Sequence, residues 1–159
     1  MSENEKTSQA SVKDSFRTRS RPDKFKVSFE TADQEFAKFQ HHYELYAEEI
    51  DGNELAAFLK VADKLIVAVQ KGVLVFKEDG TVVQTLQNKV KVTYKPLTGM
   101  AKVQDHGLAK QGDSPEVSRV RRMHAMMGAL SGLGYDAMQE LEGVDLAVME
   151  CLAFLLLMV

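Results

Sequence analysis

The sequence predicts a mostly helical α+β fold: an N-terminal helical hairpin, a small antiparallel sheet of about three strands and a C-terminal helical bundle. Apolar residues recur at helical spacing between positions 32 and 71. An Asp79-Gly80 pair separates two short apolar runs, and a third run alternates in character up to Pro96. Beyond Pro96, glycines divide the chain into helix-sized segments. Three regions are therefore expected: a tail over 1–26, a helical hairpin over 27–72, and the sheet with its bundle over 73–159.

The composition is that of a globular protein without an overall basic field. The 159 residues are 45% hydrophobic and carry a formal net charge of −3, so a proper core is expected and general binding to nucleic acid is not. Cys151 is the single cysteine, and the first residues are polar, which predicts a reducing, cytoplasmic location. The apolar run 146–159 is interrupted by Glu150 and is too short to span a membrane.

Residues 1–26 are predicted to be a disordered basic tail. They are mostly polar and charged, so burial cannot offset the entropy lost on ordering them. Two interpretations remain open, a solvated segment or an electrostatic tether for an acidic partner or nucleic acid. The candidate tether residues are Lys13, Arg17, Arg19 and Arg21.

The predicted hairpin over 27–72 depends on two amphipathic stripes. The first helix is expected to bury apolar residues spaced alternately four and three apart: Ala32, Phe36, Phe39, Tyr43, Tyr46 and Ile50. The second is expected over Glu54–Lys71, between the turn Asp51-Gly52-Asn53 and a stop at Gly72. The segment Leu65–Val69 is ambiguous, because its β-branched residues would also suit a buried strand.

Strands are predicted over Val73–Phe76, Thr81–Leu86 and Lys89–Tyr94. Asp79-Gly80 supplies the positive φ angles of a tight hairpin turn. In the third segment, basic or polar residues alternate with apolar ones, as in a half-buried strand.

Helices are predicted for the rest of the chain. After a short helix over Leu97–Lys110, Ser114 is a good N-cap for a helix that ends at Gly132. That helix is expected to bury Val117, Val120, Met123, Met127 and Leu130. A two-turn helix over Tyr135–Leu141 and a last apolar helix capped by Asp145 complete the bundle.

The sequence contains no arrangement of residues that predicts catalysis, a metal site or a cofactor. His41 and His42 are adjacent and would diverge on a helix, and no two histidines have the four-residue spacing of a helical metal site. Cys151 lies in an apolar run without a cationic neighbour, so a protonated core thiol is expected. We therefore expect a binding protein rather than an enzyme.

Three segments together resemble a known family. They are the hairpin VLVFKEDGTVVQTL, the strand KVTYKP and the helical region RMHAMMGALSGLGYDAMQELEGVDLAVMECLAFL. In this order of parts, from about Val73 onward, the chain resembles the small tail assembly chaperones of contractile-tailed, Mu-like bacteriophages. The hairpin over 27–72 and the basic tail make it longer than the short members of that family.

The resemblance implies a protein of the host bacterial cytoplasm that binds the tape-measure protein, the tail tube protein or both, and keeps them soluble before the tail polymerises. It also implies that the chain has no active site and no cofactor. Self-association into a homo-oligomer is left open. The alternatives are a structural virion or baseplate subunit, and a small nucleic-acid-binding regulator that uses the basic tail.

A chaperone of this kind needs an exposed apolar surface, which adaptable methionines suit. The unprotected end of the chain predicts such a surface, and the Met-rich helix before it is either a plastic groove or ordinary core. The candidate partner-binding residues are Leu152, Leu155, Leu156, Met158, Met123 and Met127.

Overall fold

The computed structural model describes residues 25–96 and 111–159, and within them the predicted mostly helical α+β class is confirmed. The predicted helix over 97–110 and nearly all of the predicted tail lie outside the described residues. Short 3₁₀ helices occupy Ala47–Glu49 and Asp136–Gln139. The main elements are α1 (Phe29–His42), α2 (Gly52–Gln70), β1 (Leu74–Phe76), β2 (Val82–Thr85), β3 (Lys91–Tyr94), α3 (Pro115–Ser131) and α4 (Gly143–Leu156).

The first helix ends before the predicted apolar stripe does. The Ser28 hydroxyl caps its start by accepting a hydrogen bond from the Thr31 amide at 3.2 Å. After His42, Glu44 adopts a φ of 55°, and the Leu45 amide donates to the Gln40 carbonyl at 2.9 Å. This is the Schellman arrangement with glutamate at the left-handed position that glycine usually takes. The expectation that the helix continues to Ile50 was therefore wrong.

The ambiguous segment Leu65–Val69 is helical. It lies within α2, which ends at Gln70 and is followed by Gly72 with a φ of 69°. Four of the five side chains in this segment are buried, whereas Val67 is exposed. An apolar run long enough to cover more than one helical face thus leaves one valine toward solvent.

The sheet is antiparallel in the order β1-β2-β3. Val75 pairs with Val83, and Gln84 pairs with both Leu74 and Val92. The predicted turn at Asp79-Gly80 is present, but Gly80 alone of the pair has a positive φ, at 78°. The Asp79 carboxylate instead accepts from the Thr81 amide and hydroxyl. Because β-strand side chains alternate, one face of the sheet is buried; it consists of Leu74, Phe76, Val82, Gln84, Val92 and Tyr94.

A single cluster of buried side chains joins the two predicted regions 27–72 and 73–159. Its aromatic part connects α1 to α2 and to β1, because the Phe36 ring lies 6.5 Å from that of Phe58 and 5.5 Å from that of Phe76. α2 and α3 each contact α4, and α3 also contacts β3. The helical hairpin and the sheet therefore share one core.

The third helix begins and ends as predicted but buries less of its stripe. Ser114 accepts from the Val117 amide at 3.3 Å, and Gly132 adopts a φ of 71°. Val117 and Val120 are 46% and 52% exposed, so the prediction that they are buried was wrong. Neither belongs to the core cluster, which α3 joins only from Met123 onward, because the first turns of the helix extend beyond it.

Gly128 in α3 lies directly against the chain that leaves the same helix. The Gly134 amide donates to the Gly128 carbonyl at 3.1 Å. A Cβ atom at position 128 would lie 2.5 Å from the Gly134 carbonyl carbon and 2.8 Å from the Tyr135 nitrogen. Backbone atoms cannot rotate away as a side chain can, so this position requires glycine.

We expect Gly128→Ala to lower the free energy of unfolding by about 1–3 kcal/mol, because the new methyl group must displace the backbone of Gly134. Urea denaturation followed by circular dichroism measures the change. Gly52→Ala is the matched control, since its Cβ meets nothing within 4 Å at the start of α2. Equal stability of the two variants would contradict the close approach.

Candidate functional site: an apolar groove between two helices

An open groove of about 580 Å³ lies between α2 and α4. We call it the α2/α4 groove. Asp63, Lys64 and Lys71 are its charged lining residues. The other nine lining residues are apolar or small: Leu65, Val67, Ala68, Val73, Gly143, Val144, Ala147, Val148 and Cys151.

The α4 wall of the groove is an uncharged helical stripe. Val144, Ala147, Val148 and Cys151 follow the spacing i, i+3, i+4, i+7, which places them on one face of the helix. Val144 is 65% exposed, Ala147 is also exposed, and Cys151 is buried at the base. Large apolar side chains are thus presented to solvent within a concave surface.

The α2 wall combines an exposed valine with lysines. Lys64, Val67 and Lys71 recur at intervals of three and four residues, and Lys71 directly follows the last residue of α2 with a helical backbone. The three therefore lie along one side of the end of this helix. Val67 is 36% exposed, and both lysines are exposed. The apolar floor of the groove is therefore bordered by positive charge on this side.

The C-terminal half of α4 is mostly buried, and it contains three of the six predicted partner-binding residues. Leu152, Leu155 and Leu156 are 0% exposed, and so is Met127 of α3. The expectation that the three leucines face solvent at the end of the chain was therefore wrong, because the C-terminal half of α4 packs into the core. Met127 is core, which is one of the two alternatives left open for the Met-rich helix. Met123 and Met158 are half-buried and pack against the same cluster.

The predicted electrostatic tether belongs to the segment 1–26. Its four residues, Lys13, Arg17, Arg19 and Arg21, lie outside the described residues.

A buried polar network attaches the start of α4 to the sheet. The Tyr94 hydroxyl donates to Gln84 Oε1 at 2.6 Å, and Gln84 Nε2 donates to the Asp145 carbonyl at 3.1 Å. The Gln87 amide donates to Asp145 Oδ2 at 3.1 Å. All three side chains in this network, those of Tyr94, Gln84 and Asp145, are at most 2% exposed. Buried polar groups that are paired in this way fix one geometry, since any other leaves them without partners.

Asp145 does not cap the last helix in the predicted way. Glu142 occupies the N-cap position of α4, while Asp145 lies in the first turn and reaches back to the loop after β2. Its second oxygen, Oδ1, is buried and has no hydrogen-bond partner among the described residues. Burial raises the pKa of the Tyr94 hydroxyl far above its usual value, and the nearby Asp145 charge adds a smaller increase. Tyr94 therefore stays a neutral donor over the physiological pH range.

Cys151 is buried as predicted, and burial raises the pKa of its thiol. Lys64 acts in the opposite direction and Glu150 in the same direction as burial. The expectation of no cationic neighbour was wrong, because Lys64 comes from α2, far away in sequence. The net effect keeps the thiol protonated near neutral pH.

Two signals in the sequence could have located the groove. The run Leu146–Leu157 is apolar almost all round a helix, which indicates that both faces meet apolar surroundings. Val67 likewise extends the apolar run of α2 beyond one face. Neither pattern shows that these two extra apolar faces lie next to each other, because this depends on how α2 and α4 pack.

We expect Gln84→Leu to lower the free energy of unfolding by about 1–3 kcal/mol, because it leaves the buried Tyr94 hydroxyl without its acceptor and removes the side-chain hydrogen bond to the Asp145 carbonyl. Urea denaturation measures the loss. Gln87→Leu is the control: its side chain is exposed, and it keeps the amide that donates to Asp145. If both variants were as stable as the parent chain, the network would not hold α4 in place.

The buried, protonated Cys151 should react slowly with a thiol reagent. We expect modification by Ellman's reagent at pH 7 to be at least about 100-fold slower in the folded chain than in denaturant. The control is Val144→Cys in a Cys151→Ala background, which places a thiol at an exposed position of the same wall. Rapid labelling of Cys151 in the folded parent chain would show that the base of the groove opens.

Within the described ranges, no group of three or more histidine, cysteine or acidic residues could hold a metal ion. No helix in these same ranges is long and apolar enough to cross a bilayer. No protein-family model, curated protein or solved structure matches the chain. The chemistry of its own groove is therefore the basis for assigning a function.

Proposed function

We propose that this chain is a non-enzymatic phage tail assembly chaperone that holds an amphipathic helix of its client in the α2/α4 groove. The client is the tape-measure protein, the tail tube protein or both, and binding takes place in the host bacterial cytoplasm before the tail polymerises. The observation that carries the proposal is the exposed apolar lining of the groove. The phage context comes from the resemblance of residues 73–159 to tail assembly chaperones.

The spacing of the groove residues supports a helical client. Amphipathic helices bind hydrophobic grooves through apolar anchors at i, i+3, i+4 and i+7. The wall formed by Val144, Ala147, Val148 and Cys151 repeats that spacing, and a helix lying alongside can interdigitate with it. Exposed apolar surface in a concave site commonly marks protein–protein contact.

The extent of the groove supports reversible binding. On α4 the lining runs from Gly143 to Cys151, which at 1.5 Å per residue is about 12 Å or two helical turns. A contact of only two helical turns is short, and small interfaces are typical of transient complexes. An assembly chaperone needs such a contact, because its client must leave when the tail polymerises.

The buried leucines of α4 contribute to this function indirectly. Leu152, Leu155 and Leu156 anchor the C-terminal half of the helix in the core, so that Val144 and Val148 near its start are held in place. A groove with one wall fixed in this way is preorganised, which lowers the entropic cost of binding.

The proposal predicts that two charges placed in the groove abolish client binding. We expect Val67→Asp plus Val144→Asp to stop the chain from co-eluting with its client in size-exclusion chromatography after co-expression with the longest helical protein encoded nearby. Both positions are exposed, so the variant should fold. Its folded state is checked by circular dichroism.

The matched control is Val117→Asp plus Val120→Asp, which makes the same change at exposed valines of α3. We expect the control to keep the client soluble and to co-elute with it. Unchanged co-elution of the groove variant would contradict the proposal. Recovery of the chain in finished particles would favour the structural-subunit alternative, and salt-dependent DNA binding that requires residues 1–26 would favour the regulator.

A further inference from the structure

Two lysines border the α2/α4 groove at a spacing that matches one side of a helix. Lys64 and Lys71 are exposed and seven residues apart, which corresponds to a rise of about 10.5 Å along α2. Lys64, Val67 and Lys71 all fall within a sector of about 60° around the helix axis. A second helix lying along α2 would meet both ammonium groups with residues that are also seven apart.

The other charges around the groove leave this lysine pair dominant on its side. Asp63 lies on the opposite flank of Val67 from Lys64, at the fourth residue before Val67. The α4 wall contributes no charged lining residue, and Glu150 of α4 lies near Cys151 without lining the groove. The edge formed by Lys64 and Lys71 therefore decides which charges on a client helix are favoured.

We propose that the groove selects an acidic amphipathic helix: a client segment with an apolar stripe of about two turns and carboxylates seven residues apart along one flank of that stripe. This inference rests on the proposed function and specifies the chemistry of its client. The apolar stripe fills the groove over Val67, Val144 and Val148. The two carboxylates pair with Lys64 and Lys71 and set the register of the client along α2.

Charge argues against the remaining segments of this chain as occupants. Residues 1–24 contain six basic and four acidic residues, and residues 97–110 contain two basic and one acidic residue. Both segments are therefore net positive and would meet like charge at the lysine edge. They are poorer occupants than an acidic helix.

A second copy of the chain is also a poor occupant. None of the four α-helices in the described part of the chain carries two carboxylates seven residues apart. The acidic residues of α1, for example, are Glu30, Asp33 and Glu35, at spacings of three and two. The described helices therefore do not supply the complementary pattern.

The test uses two synthetic amphipathic helices of about 20 residues, long enough to retain helical structure in water. Both carry leucines at i, i+3, i+4 and i+7. One has glutamates seven residues apart on a flank of this stripe, and the other has lysines there. Binding to the full-length chain is measured by fluorescence anisotropy. We expect the acidic peptide to bind roughly fivefold to tenfold more tightly, with the difference shrinking as salt rises.

Charge reversal on the protein provides the second arm. We expect Lys64→Glu plus Lys71→Glu to invert the preference between the two peptides. Lys89→Glu plus Lys91→Glu makes the same change in net charge at exposed positions of the β2–β3 hairpin, far from the groove lining, and should leave the preference unchanged.

The possible outcomes distinguish a failure of this inference from a failure of the proposed function. If Val67→Asp plus Val144→Asp blocks both peptides but they bind the parent chain equally well, the charge selection is wrong and the groove remains a binding site. If neither peptide binds, or if the groove variant abolishes a concentration-dependent dimer of the parent chain, the acidic-helix inference is overturned. The proposed function itself fails if the client still co-elutes with the groove variant.

Discussion

The groove depends on the buried network that fixes the start of α4 to the sheet. Tyr94, Gln84 and Asp145 are paired through hydrogen bonds in a site almost without solvent exposure. Because a buried polar group that loses its partner costs free energy that apolar packing does not recover, α4 cannot slide or rotate along the sheet. An apolar interface alone would tolerate such a shift, since hydrophobic attraction has no direction. The network therefore sets which face of α4 enters the core and which remains in the groove.

The last helix serves two surfaces at once. Met149, Leu152, Leu155 and Leu156 fill the core from its C-terminal half, while Val144, Ala147 and Val148 line the groove nearer its start. The exposed valines of α2 and α4 are costly for the isolated chain, because they keep apolar surface in contact with water. In the proposed chaperone, burial of this exposed surface against the client supplies the free energy of binding. The buried part of α4 then supports the exposed part that binds the client.

Local features of the sequence predicted the elements well, and long-range contacts explain what it did not predict. Ser114 and Gly132 bound α3, and Asp79-Gly80 forms the first hairpin turn, since capping and turn chemistry act within a few residues. The early end of α1 was missed because Glu44 takes a left-handed conformation, which a glutamate in the sequence does not predict. The contact between Gln84 and Asp145 spans 61 residues, and no periodicity contains it. Without this contact, the apolar run of α4 could not be divided into a core face and a groove face, so its leucines were assigned to the wrong surface.

Hydrogen exchange of the chain alone and in complex with its client, read by mass spectrometry, tests the central claim most directly. Amide protection reports where a partner stabilises or covers the backbone. The account predicts added protection in two separate segments, residues 63–73 and 143–151, which form the walls of the α2/α4 groove. Protection confined to other parts of the chain, with both walls unchanged, would contradict it.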